Sequence, residues 1–241
     1  MSHDFPRPAV VVFDLDDTLL DHKAAERAAL ADVHRRHHAH LGHHGLAHVQ
    51  ATYHDCNVPL WRDFGAGKID SDDLKRLRSE RLLGALGCES LDPATFNRDY
   101  LDRYAAHWRW AEGARAAYHA VADAFPVGVL TNGFSEQQRG KLAKLPEIAE
   151  RAAFVVISEE VGVMKPDPAL FEHVRALASA RLGLPLAPAD VLYVGDSYHS
   201  DVLGGTGAGW RVAWVRGDAD RAPEGAVVVD DWRTLLDGLG L

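Results

Sequence analysis

Residues 9–21 read AVVVFDLDDTLLD, a run apolar enough for a buried strand that ends by setting Asp14, Asp16 and Asp17 within four residues. Carboxylates about 4 Å apart repel by about 4 kcal/mol even at an effective dielectric of about 20, so such a cluster needs protons, cations or water. The strand ahead of it is apolar at every position from Ala9 to Phe13, the pattern of a strand covered on both faces. Short apolar runs recur at 126–131 (PVGVLT), 154–157 (FVVI), 190–195 (DVLYVG) and 211–215 (RVAWV), with helical patterns between most of them. This alternation predicts an α/β fold whose core is a Rossmann-like, doubly wound parallel sheet.

The segment from 21 to 110 interrupts the alternation. Residues 24–40 and 72–86 read as helices, Asp92-Pro93 opens another, and no strong strand intervenes, which is too long for an ordinary crossover. The expected organisation is therefore a core of 1–20 plus 111–241 with an inserted helical domain at 21–110. Within the core, Ser135 and Gln138 have the spacing of a capping box, and Asp167-Pro168 supplies a helix N-cap followed by a first-turn proline.

Composition narrows the function. The 241 residues are 47% hydrophobic and 25% charged, ordinary for a globular chain, and the net charge of −9 disfavours a nucleic-acid polymer or an anionic membrane as main partner. The apolar runs are too short to cross a membrane, and the opening MSHDFPRP does not read as a signal peptide. Two cysteines, Cys56 and Cys88, are too few for a disulfide framework. A cytoplasmic protein with free thiols is expected, its oligomeric state left open.

In open parallel sheets, ligands bind beyond the carboxyl ends of the strands. Four strands end in or lead to polar groups there: Asp14 and Asp16 after the first, Thr131-Asn132-Gly133 after the second, Lys165 in GVMKPDP after the third, and Asp196 with Asp201 in GDSYHSD after the fourth. Three hard-oxygen carboxylates suit Mg²⁺, which commonly bridges to a phosphate. Thr131, Asn132 and Lys165 supply donors and one positive charge for phosphoryl oxygens. The expected partner is a small phosphate ester.

The motifs DLDDT, LTNG, MKPDP and GDSYHSD stand in the order and spacing of the four motifs of the haloacid dehalogenase (HAD) superfamily, which the chain resembles over roughly 8–20 and 110–220. A helical insert directly after the first motif is similar to the C1 type of cap. The stretches LTNGFSEQQ, VISEEVGVMKPDPALF and GDSYHSDVLGGTGAG, with NVPLWRDF in the cap, resemble the pyrimidine 5′-nucleotidases and related small-metabolite phosphatases. The resemblance implies that Asp14 is the nucleophile that becomes an aspartyl phosphate. It implies that Asp16 acts as acid and then base, its backbone carbonyl reaching the metal, and that Asp196 completes the metal ligands with Asp201 behind them. Dehalogenating relatives resemble DxY at the position two after the nucleophile. Asp16 therefore disfavours dehalogenation, though not a sugar phosphatase or a phosphomutase. A phosphoprotein switch built like a receiver domain is the non-enzymatic alternative, and it lacks a cap.

Other residues carry plainer readings. Asp17 is expected to satisfy nearby backbone N–H groups. Trp61 either packs within the cap or stacks on a nucleotide base. The glycines at 204, 205, 207 and 209 read as close helix packing. In HRRHHAHLGHHGLAHV at 34–49, no cysteine or carboxylate completes a compact metal site and Gly42 and Gly45 interrupt the helix, so a solvated surface, partly protonated near pH 6, is expected.

Overall fold

A computed structural model describes residues 5–241; residues 1–4, which begin the MSHDFPRP stretch and the expected 1–20 segment, lie outside the described residues. Strand β1 (Val10–Phe13) has no exposed residue. Its pleat sends Val10 and Val12 into one apolar cluster and Val11 and Phe13 into another, so both faces are covered. Each such buried side chain contributes about 1.5–3 kcal/mol of transfer free energy.

The chain divides into two compact units, one of residues His22–Trp108 and one of the residues up to Asp21 with Arg109–Leu241. The first is all helical: α1 (His22–Arg36), α2 (Leu46–Gly65), α3 (Ser71–Ala85) and α4 (Pro93–Ala106). Asp70 caps α3 by accepting from Asp73 N at 2.8 Å, and Asp92 caps α4 by accepting from Thr95 N at 3.0 Å. Ala29, Leu30 and Val33 of α1 pack with Tyr53 of α2, Leu82 and Leu83 of α3, and Phe96 and Tyr100 of α4. Helix α1 stops at Arg36, earlier than its periodicity predicts; His37 leaves helical geometry and its ring bonds Asp99 on α4. Helix α2 continues through Pro59, which cannot return a backbone bond to Asp55.

The second unit continues with α5 (Ala114–Ala124), β2 (Val127–Thr131), α6 (Ser135–Lys144), β3 (Ala152–Ile157), α7 (Pro168–Leu182), β4 (Val191–Gly195), β5 (Arg211–Val215), β6 (Ala226–Val229) and α8 (Trp232–Leu239). The strands form one parallel sheet in the order β3-β2-β1-β4-β5-β6. Residues of α5 and α8 cover one face, with Tyr118, Val121 and Leu235, and Leu170, Phe171 and Val174 of α7 cover the other. β6 was not predicted: AVVV is short and only Val229 of it is buried. The order reverses between β1 and β4, and the carboxyl ends of these two strands frame the switch point where such sheets bind ligands.

Candidate active site

β1 delivers Asp14 directly from its last pleat, with the Asp14 backbone N–H donating to Val194 O of β4 at 2.9 Å. Around its buried carboxylate the strand ends assemble a network. Lys165 Nζ donates to Asp14 Oδ1 at 2.6 Å, to Asp201 Oδ1 at 2.8 Å and to the Tyr193 hydroxyl at 2.8 Å. The Tyr193 hydroxyl lies 3.1 Å from Asp201 Oδ1 and 3.2 Å from Leu130 O, either of which accepts its proton. Asp201 Oδ2 accepts from Ser197 N at 2.9 Å. A Cβ on Gly195 would stand 2.6 Å from Asp201 Cγ, so only glycine at the end of β4 lets this carboxylate fold back against the strand.

Asp14, Asp196 and Asp201 each offer an oxygen within 4.8 Å of the others. Burial pushes the Asp14 carboxyl well above the usual carboxylate range, Lys165 opposes this, and repulsion from Asp201 and Asp196 adds to it. Lys165 is also buried, which alone would lower its pKa, yet the facing Asp14 and Asp201 carboxylates outweigh burial and keep it protonated. Three carboxylates against one buried ammonium leave an excess of negative charge. The all-oxygen donor set is one that a hard divalent cation satisfies.

The remaining predicted residues take distinct places. Asn132 accepts from Lys165 N at 2.9 Å and donates to Lys165 O at 3.0 Å, a two-bond clamp that fixes the lysine backbone. Thr131 is fully buried, its Oγ1 accepting from Gln138 Nε2 at 2.8 Å. Asp17 occupies a left-handed turn at φ 61°, its N–H donating to Leu20 O at 2.7 Å, and does not join the carboxylate triad. Trp61 lies on α2 in the helical unit, half-buried, edge-on to Phe64 with ring centroids 5.7 Å apart.

Two residues of α6 were missed. Lys141, only 3% exposed, donates to both carboxylate oxygens of Asp16 at 2.7 Å. Gln138 Nε2 reaches Asp16 Oδ2 at 2.9 Å and Asn132 O at 2.9 Å as well as Thr131. The expected Ser135–Gln138 capping box is therefore corrected. Phe134 holds the N-cap position, Ser135 N donates to Glu159 Oε2 at 2.7 Å, and Gln138 turns toward Asp16. The spacing of Gln138 and Lys141, three apart on one helix face, was the available signal.

A family model described as haloacid dehalogenase-like hydrolase matches residues 8–209, which include every one of these groups. The chain belongs to this hydrolase family. It is 34% identical over 173 residues to pyrimidine 5′-nucleotidase YjjG of Escherichia coli, covering 72% of this chain and 73% of that protein. It is 30% identical over 212 residues to pyrimidine 5′-nucleotidase PynA of Streptococcus pneumoniae, covering 85% and 82%. The crystal structure of the HAD-hydrolase YfnB from Bacillus subtilis, bound to magnesium, superposes with a TM-score of 0.81 at 27% identity, covering 98% of this chain and 100% of that one. No helix among the described residues is long and apolar enough to cross a membrane.

Proposed function

We propose that the chain is a Mg²⁺-dependent phosphomonoesterase acting on nucleoside 5′-monophosphates, with the sheet unit as catalytic core and the helical unit as a substrate-selecting cap. The observation that carries this reading is the buried Asp14, Lys165 and Asp201 network at the switch point, with Asp196 beside it. The naming of YjjG and PynA as pyrimidine 5′-nucleotidases supports the substrate class. Asp14, Asp196 and the Asp16 carbonyl would hold Mg²⁺, which supplies charge neutralisation for the phosphoryl group and for the crowded carboxylates.

Asp14 attacks phosphorus, its Oδ–P bond forming as the ester O–P bond breaks. Asp16 gives a proton to the leaving oxygen and takes one from the water that then releases phosphate from Asp14. Lys165, held in place by the Asn132 clamp, neutralises phosphoryl oxygen charge, and Thr131 contributes a hydroxyl. Asp201 orients Lys165 from behind. A halide leaving group would need no proton donor, so an aspartate at position 16, where dehalogenating relatives resemble DxY, favours ester hydrolysis over dehalogenation, and Lys141 and Gln138 fix the orientation of its carboxylate.

Phosphate release from a panel of nucleoside monophosphates, sugar phosphates and phosphoserine tests the reading. Asp14→Asn should abolish turnover with the fold intact, and residual activity in a contamination-free preparation rejects Asp14 as nucleophile. Trp61 is proposed to stack on the base, an interaction worth about 1–3 kcal/mol. Trp61→Ala should then lower kcat/KM for nucleoside monophosphates by roughly one to two decades while sparing p-nitrophenyl phosphate. An unchanged ratio assigns Trp61 to packing and leaves the phosphatase without its nucleotide preference.

A further inference from the structure

The histidine-rich stretch is solvated only in part: His38, His43 and His48 are exposed, while four of its histidines bond into the fold. His34 Nε2 bonds His44 O at 2.9 Å, His37 Nε2 bonds Asp99 Oδ2 at 2.9 Å, His40 Nδ1 bonds Ser90 Oγ at 3.0 Å, and His44 Nε2 bonds Leu86 O at 2.8 Å. Cys88, far away in sequence, is folded against the same loop, its buried thiol donating to His40 O at 3.2 Å. Along the sequence no cysteine stands among these histidines. The fold supplies one: His43, His44 and Cys88 each offer a ligand atom within 4.8 Å of the other two.

The geometry points to a Zn²⁺ site formed by His43, His44 and Cys88 inside the helical unit, separate from the carboxylate cluster in the sheet unit. Imidazole nitrogen and thiolate sulfur are both donors that zinc, a borderline-soft cation, takes in tetrahedral sites, and water can fill the fourth position. Neighbouring ligands of a tetrahedral zinc stand about 3.5 Å apart, given bonds of about 2.0 Å to nitrogen and about 2.3 Å to sulfur. Closing the present spread takes a shift of roughly an ångström, within reach of a side-chain rotation by His43, which is exposed. On coordination, the S–H bond of Cys88 is replaced by S–Zn, the proton leaves to solvent, and the thiol's bond to His40 O is exchanged for the link through the metal.

The surrounding backbone suits a clamp. His43 and His44 sit between Gly42 and Gly45, directly before α2, while Cys88 follows the left-handed Gly87 at the end of α3. A Cβ at Gly42 would lie 2.5 Å from His38 O, so glycine is what allows the loop to double back close to the preceding turn. The two segments are already tied by the His44 to Leu86 and Cys88 to His40 bonds. Zinc would add a covalent-strength link between the entry of α2 and the exit of α3, and so stabilise the helical unit.

The test uses the tag-free full-length chain, stripped of metal and held in saturating Mg²⁺ so that the oxygen-lined cluster is occupied. Addition of Co²⁺ as a zinc surrogate should produce a near-ultraviolet thiolate-to-cobalt charge-transfer band at one equivalent, bleached by Zn²⁺. The band should vanish in Cys88→Ser and persist in Cys56→Ser. Its absence from the native chain, or its loss with Cys56 instead, overturns the site. Because Cys88 is buried, the exposed His43→Ala provides a second arm that leaves the core untouched. Zn²⁺ affinity, measured by chelator competition, should fall more than about tenfold there. Zinc binding unchanged in both Cys88→Ser and His43→Ala would place the ion on other histidines and reject the proposal.

Discussion

Lys141 shows what a single side chain can do when it is buried against a charge. Held at 2.7 Å from both oxygens of Asp16, it fixes the carboxylate in one orientation, and Gln138 fixes the oxygen it shares. Lys141→Met keeps the length and apolar stem but releases that carboxylate. On the proposed mechanism, kcat should fall by up to about 10²-fold, the usual result of misplacing a reacting group by about an ångström, with KM little changed. Steady-state kinetics on the best substrate of the panel check this, and a loss confined to KM would assign Lys141 to substrate binding. The meeting of Asp14, Lys165, Asp196 and Asp201 could be read in the sequence because each stands in a short motif after an apolar strand. Lys141 could not, because a lysine in SEQQRGKLAK looks like any solvent-facing helix residue. Tyr193 was hidden for the opposite reason. Within DVLYVG it reads as one more apolar strand position, although its hydroxyl joins Lys165 to Asp201.

Elements were legible in proportion to their burial. The five strands with continuous apolar runs could be read, whereas the partly buried β6 could not. Helix α2 was obscured by Pro59 and by glycines at its entry, both of which argue locally against a helix that its packing sustains. The junction of α1 with α4 depends on Asp99, which accepts from Arg36 Nε at 2.7 Å and His37 Nε2 at 2.9 Å. Burial acts to raise the Asp99 pKa, but the bonds from His37 and Arg36 outweigh it and hold the carboxyl below its usual range. A carboxyl depressed in the folded state stabilises at pH values above its unfolded pKa of about 3.9, and that contribution is lost as the pH falls through the lower folded value. Asp99→Asn should therefore destabilise the helical unit by about 1–3 kcal/mol at pH 7. The gap between variant and native chain should close below about pH 4. Urea titrations across this range measure it; a gap that widens in acid would contradict the assignment.

At the scale of the whole molecule, each cation should act on its own unit. Mg²⁺ in hundredfold excess over its Kd should add about 2.7 kcal/mol to the sheet unit, roughly 5–10 °C in Tm. Chelation should reverse the shift, and Asp14→Asn should shrink it because a ligand carboxylate is gone. Thermal melts with and without Mg²⁺ decide this, and an equal shift in native chain and variant would move the ion away from Asp14. The fold class and the placing of a helical segment after the first strand were legible because periodicity is a local property. The meeting of Cys88 with His43 was not, because only tertiary structure brings them together.

The division of the chain also orders events during synthesis. All of the helical unit lies in one continuous stretch, His22–Trp108, which leaves the ribosome before any partner of β1 exists. β1 must wait for Val127 to pair on one side and Leu192 on the other. Until then VVVF is an unpaired, wholly apolar strand, the kind of segment that associates with other chains when left exposed. The strand that leads into Asp14 is thus the first of the sheet to be made and among the last to be sheltered. The nascent chain has its greatest need of chaperone cover between the completion of the helical unit and the emergence of β4.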